Sequence, residues 1–85
     1  MSHEVFLLRR AQKALSKIGP GRDYERLQEA IWELGDDPKP HGSIKLSGRD
    51  GRRIRVGNYR VIYEIDDDAR EVTVLDVGHR RDIYR

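Results

Sequence analysis

The sequence predicts an α+β fold in which an N-terminal strand and a helical hairpin pack on a small antiparallel β-sheet. Two observations predict it: apolar residues recur at helical spacing in the first half, whereas β-branched and aromatic residues dominate the second half. The predicted element order is β-α-α-β-β-β-β. A chain of 85 residues is long enough for one domain, residues 1–85, with a thin core.

The first half contains one short strand and two amphipathic helices. Residues 4–8 form an apolar run that predicts a strand leading into the first helix. The Gly-Pro-Gly sequence at 19–21 ends that helix and makes the pair a helical hairpin. The apolar stripe of the first helix is Leu8, Ala11, Leu15 and Ile18. The stripe of the second is Tyr24, Leu27, Ile31 and Leu34.

Four strands are predicted after a loop at 35–42. They cover residues 43–46, 52–56, 59–65 and 71–77. Gly57-Asn58 is a two-residue hairpin signal of the primed-turn type, and residues 66–69 form an acidic turn between the last two strands.

The Gly57-Asn58 turn fixes which side chains share a face of the sheet. With two turn residues, Arg55 lies directly opposite Arg60, and the core face then carries Ile54, Val56, Tyr59, Val61 and Tyr63. The other face carries Arg53, Arg55 and Arg60. Like charges opposite each other destabilise a sheet, so this arrangement predicts an anion-binding face. A one-residue slip in register would move Arg60 to the core face.

The charge distribution supports the same interpretation. The formal net charge is only +2, but residues 45–60 contain six basic side chains against Asp50 alone. Arginine makes up 13 of the 17 basic residues, and its planar guanidinium suits phosphate better than the lysine ammonium does. The alternative interpretation is a solvated, non-binding face.

Several function classes are excluded or disfavoured. The chain has no cysteine, which removes disulfides, thiolate nucleophiles and cysteine-ligated metals. No paired histidine ligands and no cluster of carboxylates next to a histidine are present, so we expect neither metal nor cofactor. Residues 1–4 lack the features of a secretory signal, and we expect a cytoplasmic protein.

His79 and Tyr84 add proton-transfer groups near the C-terminus. Together with the arginines they form a set able to cut RNA: a base takes the ribose 2′-OH proton, arginines neutralise the phosphate, and an acid protonates the leaving 5′ oxygen. An exposed histidine and an apolar anchor are the structural alternatives for these two residues.

Three segments resemble the RelE/ParE superfamily of toxins from bacterial type II toxin–antitoxin systems. They are residues 44–48 (IKLSG), 53–63 (RIRVGNYRVIY) and 77–84 (VGHRRDIY), and residues 9–15 also suit the first helix of that family. The resemblance covers the whole chain in order. It implies a RelE-like fold with one of two activities. The RelE branch comprises ribosome-dependent endoribonucleases that cut mRNA in the A site without metal, and the ParE branch poisons DNA gyrase.

The resemblance also assigns residues. Arg53 and Arg55 match two basic residues of the third strand, Arg60 matches a phosphate-binding arginine, and Arg80 and Tyr84 match C-terminal positions of the family. We therefore expect RNA and phosphate binding by Lys45, Arg53, Arg55 and Arg60. Proton transfer is assigned to His79, Arg80 and Tyr84, without dividing acid from base.

The resulting hypothesis is an mRNA interferase toxin that inhibits translation, with the ribosome and mRNA as partners and no membrane. A ParE-like gyrase inhibitor and a non-catalytic RNA- or protein-binding module are the alternatives. A toxin implies an antitoxin, here expected to be a small acidic RelB-like protein that covers the arginines or displaces the C-terminal tail. We expect the free toxin to be a monomer and the complex a hetero-oligomer.

Overall fold

A computed structural model describes residues 3–79 of the chain, and the predicted element order is confirmed. No helix in this part of the chain is long and apolar enough to cross a membrane. The last strand extends two residues beyond the predicted end. The elements are β1 (Glu4–Leu7), α1 (Arg9–Ile18), α2 (Arg22–Glu33), β2 (Ile44–Lys45), β3 (Arg52–Val56), β4 (Tyr59–Asp66) and β5 (Glu71–His79).

The five strands form one mixed sheet in the order β1-β5-β4-β3-β2. The strands β2 to β5 pair antiparallel, as predicted, whereas β1 lies parallel to β5 at the sheet edge. Parallel neighbouring strands need a long connection between them. Here that connection contains every helix and strand from α1 to β4. The sheet is therefore antiparallel only over its four C-terminal strands.

The core lies between one face of the sheet and the helical hairpin. Ala11 and Leu27 from the two helices are fully buried, and so are Val61 and Tyr63 of β4. Each large apolar side chain removed from water contributes about 1.5–3 kcal/mol. The complete cluster is Ala11, Leu15, Leu27, Ile31, Leu34, Ile54, Val61, Tyr63, Val72, Val74 and Val77.

The predicted hairpin register is confirmed residue by residue. Val56 pairs with Tyr59, Arg55 with Arg60, and Ile54 with Val61. Gly57 begins the turn with φ 61°, a conformation that glycine adopts without strain and that primed turns require. The face that carries Ile54 and Val61 is buried under the helices, as predicted.

The pairing of β4 with β5 contains a bulge that the sequence did not predict. Tyr63 pairs with Val74, but the adjacent Ile62 pairs with Asp76, so one extra residue lies in β5. As a result Val74 and Val77 both point into the core, although they are three positions apart. The bulge therefore resets which residues at the end of β5 share a face with β4.

The end of α2 lies against the start of β1 with almost no space between the two backbones. Gly35 is buried, and a Cβ there would lie 2.8 Å from the carbonyl oxygen of His3. The His3 amide donates to the Gly35 carbonyl at 2.6 Å. Glycine is thus required at this position because a side chain would collide with the backbone of His3, and not because of its φ and ψ angles.

A polar network anchors the loop after α2 to the sheet. The Tyr63 hydroxyl donates to the Pro38 carbonyl at 2.7 Å, and Arg52 Nη2 donates to Ser43 Oγ at 3.0 Å. Burial raises the pKa of the Tyr63 phenol above its ordinary value, and the Ser43 and Arg52 side chains oppose that shift. The buried phenol therefore stabilises the fold in its neutral form.

Replacement of Tyr63 by Phe should lower the free energy of unfolding at pH 7 by about 1–3 kcal/mol, because the Pro38 carbonyl loses its donor inside the protein. Since the pKa of Tyr63 is raised in the folded protein, its stabilisation is complete below the ordinary tyrosine pKa of about 10 and is lost as the pH rises through the folded value. The wild type should therefore lose more stability in alkali than Tyr63→Phe does.

Urea titrations at pH 7 and at alkaline pH measure both effects. Tyr24→Phe is the matched control, because the Tyr24 hydroxyl only accepts an exposed bond from Gln28. Equal stability losses in the two variants would contradict the anchoring role of Tyr63.

Candidate phosphate-binding site

Three arginines lie together on the face of the sheet that the helices leave uncovered. Because directly paired residues project to the same face, Arg55 and Arg60 lie side by side, and Gly78 lies next to Arg60 on β5. Arg53 pairs with Ile62 on the same face. We call Arg53, Arg55 and Arg60 the arginine face. The structure thus brings together three of the four predicted phosphate-binding residues.

The three guanidinium groups differ in their exposure to water. Arg55 is exposed, Arg53 is half-buried, and Arg60 is only 7% exposed. Ile62 lies two residues after Arg60 on the same face of β4. It is only 5% exposed, although it is not a member of the core cluster under the helices. On the arginine face, Arg55 of β3 is therefore in contact with water, whereas Arg60 of β4 is shielded from it.

Lys45 lies on the other face of the sheet. It pairs with Arg52, which in turn pairs with Tyr63 of the core face. The residue of β2 beside Arg53 is Ile44, whose side chain is 45% exposed. The structure therefore does not bring Lys45 to the arginine face, and the fourth predicted phosphate-binding residue is separated from the other three.

His79 also lies on the helix side of the sheet. It pairs with Tyr59, and the two rings meet edge to face with centroids 5.8 Å apart. Tyr59 packs against the core cluster. Lys13 and Lys17 of α1 line the same surface cleft as His79. His79 is thus separated from the arginine face by the sheet. Arg80 and Tyr84 lie outside the described residues.

An array of three guanidinium groups can bind an anion and stabilise negative charge. Each guanidinium offers five N–H donors and keeps its charge at any physiological pH. The neighbours Ile44, Ile62 and Gly78 supply no acid or base, and the carboxylate of Asp76, which pairs with Ile62, forms an ion pair with Arg10 of α1. Between residues 3 and 79 no group of three or more His, Asp or Glu is placed to hold a metal ion.

Two features of the site have no clear sequence signal. The anchoring role of Arg52 depends on its pairing with Tyr63 and on the position of Ser43. The low exposure of Arg60 depends on what surrounds β4 in three dimensions. The alternation of β3 does predict that Arg52 and Arg53 face opposite ways, and this signal separates Arg52 from the arginine face.

The fold and sequence match known toxins over nearly the whole chain. The sequence model of the ParE toxin of the type II toxin–antitoxin system parDE matches residues 5–84. Toxin RelG of Mycobacterium tuberculosis is 55% identical over 88 positions, covering 100% of this chain and 99% of that protein.

Two solved structures show the same fold. The RelE–RelB complex of the archaeon Pyrococcus horikoshii matches with a TM-score of 0.81 and 31% identity, over 94% of this chain and 97% of the matched chain. The toxin–antitoxin complex RelBE2 of Mycobacterium tuberculosis matches with a TM-score of 0.79 and 28% identity, over 94% and 100% of the two chains. The α+β fold, the sequence match and the arginine face therefore agree, and the chain belongs to the RelE/ParE superfamily of type II toxin–antitoxin toxins.

Proposed function

We propose that this toxin is an endoribonuclease that cuts mRNA in the ribosomal A site and so inhibits translation. The observation that carries the proposal is the arginine face, in which Arg55 and Arg60 are directly opposed at the cost of mutual repulsion. A bound phosphodiester removes that repulsion and gives the arrangement a function. The similarity to Toxin RelG and to RelE chains supports the RelE branch.

The proposed reaction is an internal transfer at phosphorus. A base removes the 2′-OH proton, the 2′ oxygen attacks the adjacent phosphorus, and the bond to the 5′ oxygen breaks as that oxygen gains a proton. The products are a 2′,3′-cyclic phosphate and a free 5′-OH. The arginine face stabilises the charge that grows on the non-bridging oxygens, and this requires no metal.

The position of His79 narrows the assignment of the proton-transfer groups. Because His79 lies across the sheet from the arginine face, one phosphate cannot contact both. Of the two remaining candidates, the Tyr84 hydroxyl can exchange a proton, whereas the Arg80 guanidinium keeps its charge and would stabilise the phosphate instead. Both roles stay predictions, and His79 is given no contact with the scissile phosphate. Lys45, on the same side as His79, is likewise assigned no contact with that phosphate.

Inhibition of DNA gyrase is the second candidate function. It is favoured by the match of the ParE toxin sequence model to residues 5–84. In that case the arginine face would be dispensable for toxicity. Supercoiling activity of gyrase in the presence of the toxin distinguishes the two candidates.

The expected partner is a RelB-like antitoxin. Two of the structurally similar chains were solved as RelE–RelB or RelBE complexes. We propose that an acidic antitoxin segment covers the arginine face or displaces the C-terminal tail, and so blocks RNA from the phosphate-binding site. Opposite charge makes this complementary pairing favourable.

Replacement of Arg55 by Gln should reduce the rate of A-site cleavage about 10-fold, because one donor to the developing charge is lost; the loss is smaller than the 10²–10³-fold typical of a buried donor, since water screens this exposed guanidinium. Arg55 is exposed, so the fold should tolerate the change. Primer extension on mRNA from translating ribosomes measures the cuts. Arg49→Gln is the control, since Arg49 is an exposed arginine in the β2–β3 turn, away from the arginine face.

Cleavage that survives both Arg55→Gln and Arg60→Gln would move the site away from the arginine face. Growth arrest without any cut in wild-type cultures, combined with loss of gyrase supercoiling, would instead support the ParE alternative. Arg55→Gln keeps the test decisive if the buried Arg60 position does not tolerate glutamine.

Replacement of His79 by Ala should leave the cleavage rate within about threefold of wild type. The reason is its position against Tyr59 on the opposite face. The same primer-extension assay, with the melting temperature measured in parallel, checks the result. A hundredfold loss of cleavage in a folded His79→Ala protein would place the imidazole in the reaction after all.

The antitoxin should protect β3 and β4 from solvent. In hydrogen exchange of the toxin with and without its antitoxin, we expect slower exchange in β3, β4 or the C-terminal residues of the complex, and Arg55→Glu should weaken the complex because it reverses a charge. Protection confined to the outer surfaces of α1 and α2 would contradict this mode of inhibition.

A further inference from the structure

The bulge in β5 decides which residues of that strand lie beside the arginine face. Leu75 is the extra residue, since it stands between the residues that pair with Tyr63 and Ile62. Past the bulge, Gly78 lies opposite Arg60. The register at the end of β5 therefore depends on one inserted residue.

Without the bulge, every later residue of β5 would turn to the other face of the sheet. Val77 would then lie opposite Arg60, and His79 would come to the arginine face. Asp76 would lie opposite Val61, whose side chain is in the core. The two registers differ by one residue, but they present different side chains to a phosphate bound at the arginine face.

Both carboxylate oxygens of Asp76 are used at the bulge. Oδ1 accepts the backbone amide of Val77 at 2.9 Å, and Oδ2 lies 3.2 Å from Nε of Arg10 on α1. The Arg10 side chain is 79% exposed, so this ion pair contributes at most about 1 kcal/mol. The bond to the Val77 amide is part-buried. Asp76 thus fixes the backbone directly after the bulge and connects it to α1.

Asp76 also makes the register without the bulge unfavourable. In that register its carboxylate would enter the apolar core beside Val61, which is fully buried. Removal of an unpaired carboxylate from water costs several kcal/mol. The observed register instead buries Val77, which is 3% exposed, and this contributes about 1.5–3 kcal/mol. The charge of Asp76 and the burial of Val77 therefore favour the same register.

We infer that Asp76 is a positioning residue that fixes the register at the end of β5, and that this register sets which side chains reach a phosphate on the arginine face. The inference rests on the proposed ribonuclease function. Asp76 acts through Gly78, which places no side chain beside Arg60. Arg80 and Tyr84, which are predicted to act on the phosphate, follow in the sequence, so their connection to the sheet passes through this register.

The test compares two substitutions of Asp76. Asp76→Val removes the charge and the acceptor, and the introduced valine suits the core position beside Val61, where a regular ladder would replace the bulge. Asp76→Asn keeps an oxygen acceptor for the Val77 amide and stays too polar for the core. Asp66→Val is the matched control, because Oδ1 of Asp66 also accepts a backbone amide, that of Ala69 at 3.0 Å, in the β4–β5 turn.

Nuclear magnetic resonance of the purified full-length proteins measures the register directly. Nuclear Overhauser contacts between backbone protons should join Arg60 to Gly78 in wild type, Asp76→Asn and Asp66→Val. In Asp76→Val they should join Arg60 to Val77 instead. If Asp76→Val does not fold, Asp76→Ala gives the same comparison, because alanine also removes the charge and the acceptor.

Primer extension on mRNA from translating ribosomes measures the consequence for cleavage. The rate should fall with the fraction of molecules that have slipped, by about 10²-fold for a complete slip, because a small misplacement far from the chemistry can cost that much. Binding to ribosomes should change by less than about threefold, since Arg53 and Arg55 of β3 keep their register, and this separates positioning from a general loss of structure. Asp76→Asn and Asp66→Val should cut as wild type does.

Retention of the contacts between Arg60 and Gly78 in Asp76→Val would overturn the role of Asp76. A slip that leaves the cleavage rate unchanged would overturn the link between the register and the reaction. A slip of Asp76→Asn equal to that of Asp76→Val would contradict the bond to the Val77 amide as its cause. Absence of cleavage by the wild type would overturn the proposed function, whereas the contacts of Arg60 would still decide whether Asp76 fixes the register.

Discussion

The arrangement of the site depends on the register of the β3–β4 hairpin. Two like charges about 4 Å apart repel each other by about 1 kcal/mol in bulk water and by about 4 kcal/mol at the effective dielectric typical of a protein surface. The same register buries Ile54 and Val61 beneath the helices, and each of these contributes about 1.5–3 kcal/mol. A slip by one residue would expose the apolar pair and direct the arginines into the core. Core packing therefore outweighs the repulsion and fixes the arginine face.

Two basic surfaces lie on opposite sides of the sheet, although the distribution of charge along the sequence does not distinguish them. The arginine face lies on the uncovered side, whereas α1 and the end of β5 lie on the other, so Lys13 and Lys17 share a cleft with His79 and not with Arg60. A small anion can contact only one of these surfaces. Only a ligand that extends around the edge of the sheet can contact both.

The sequence predicts the features that depend on residues close together in the chain, and it does not predict those that depend on residues far apart in the chain. The Gly57-Asn58 turn is local, so the hairpin and its arginines are predicted correctly. The parallel pairing of β1 with β5 and the bulge opposite Ile62 arise from contacts distant in sequence, and no local pattern indicates them. The bulge decides the face of His79, and the pairing of the short β2 decides the face of Lys45. The sequence alone shows neither feature, and it therefore does not separate these two residues from the arginines.

The unequal exposure of the arginines suggests unequal contributions to the chemistry. Arg55 is exposed, so water and salt screen its interaction with a phosphate. Arg60, at 7% exposure, acts in a medium of lower effective dielectric, where the same charge stabilises a developing oxyanion more strongly. In the proposed reaction, Arg60 would therefore supply the larger share of charge stabilisation, and Arg55 would be the position open to an incoming phosphate.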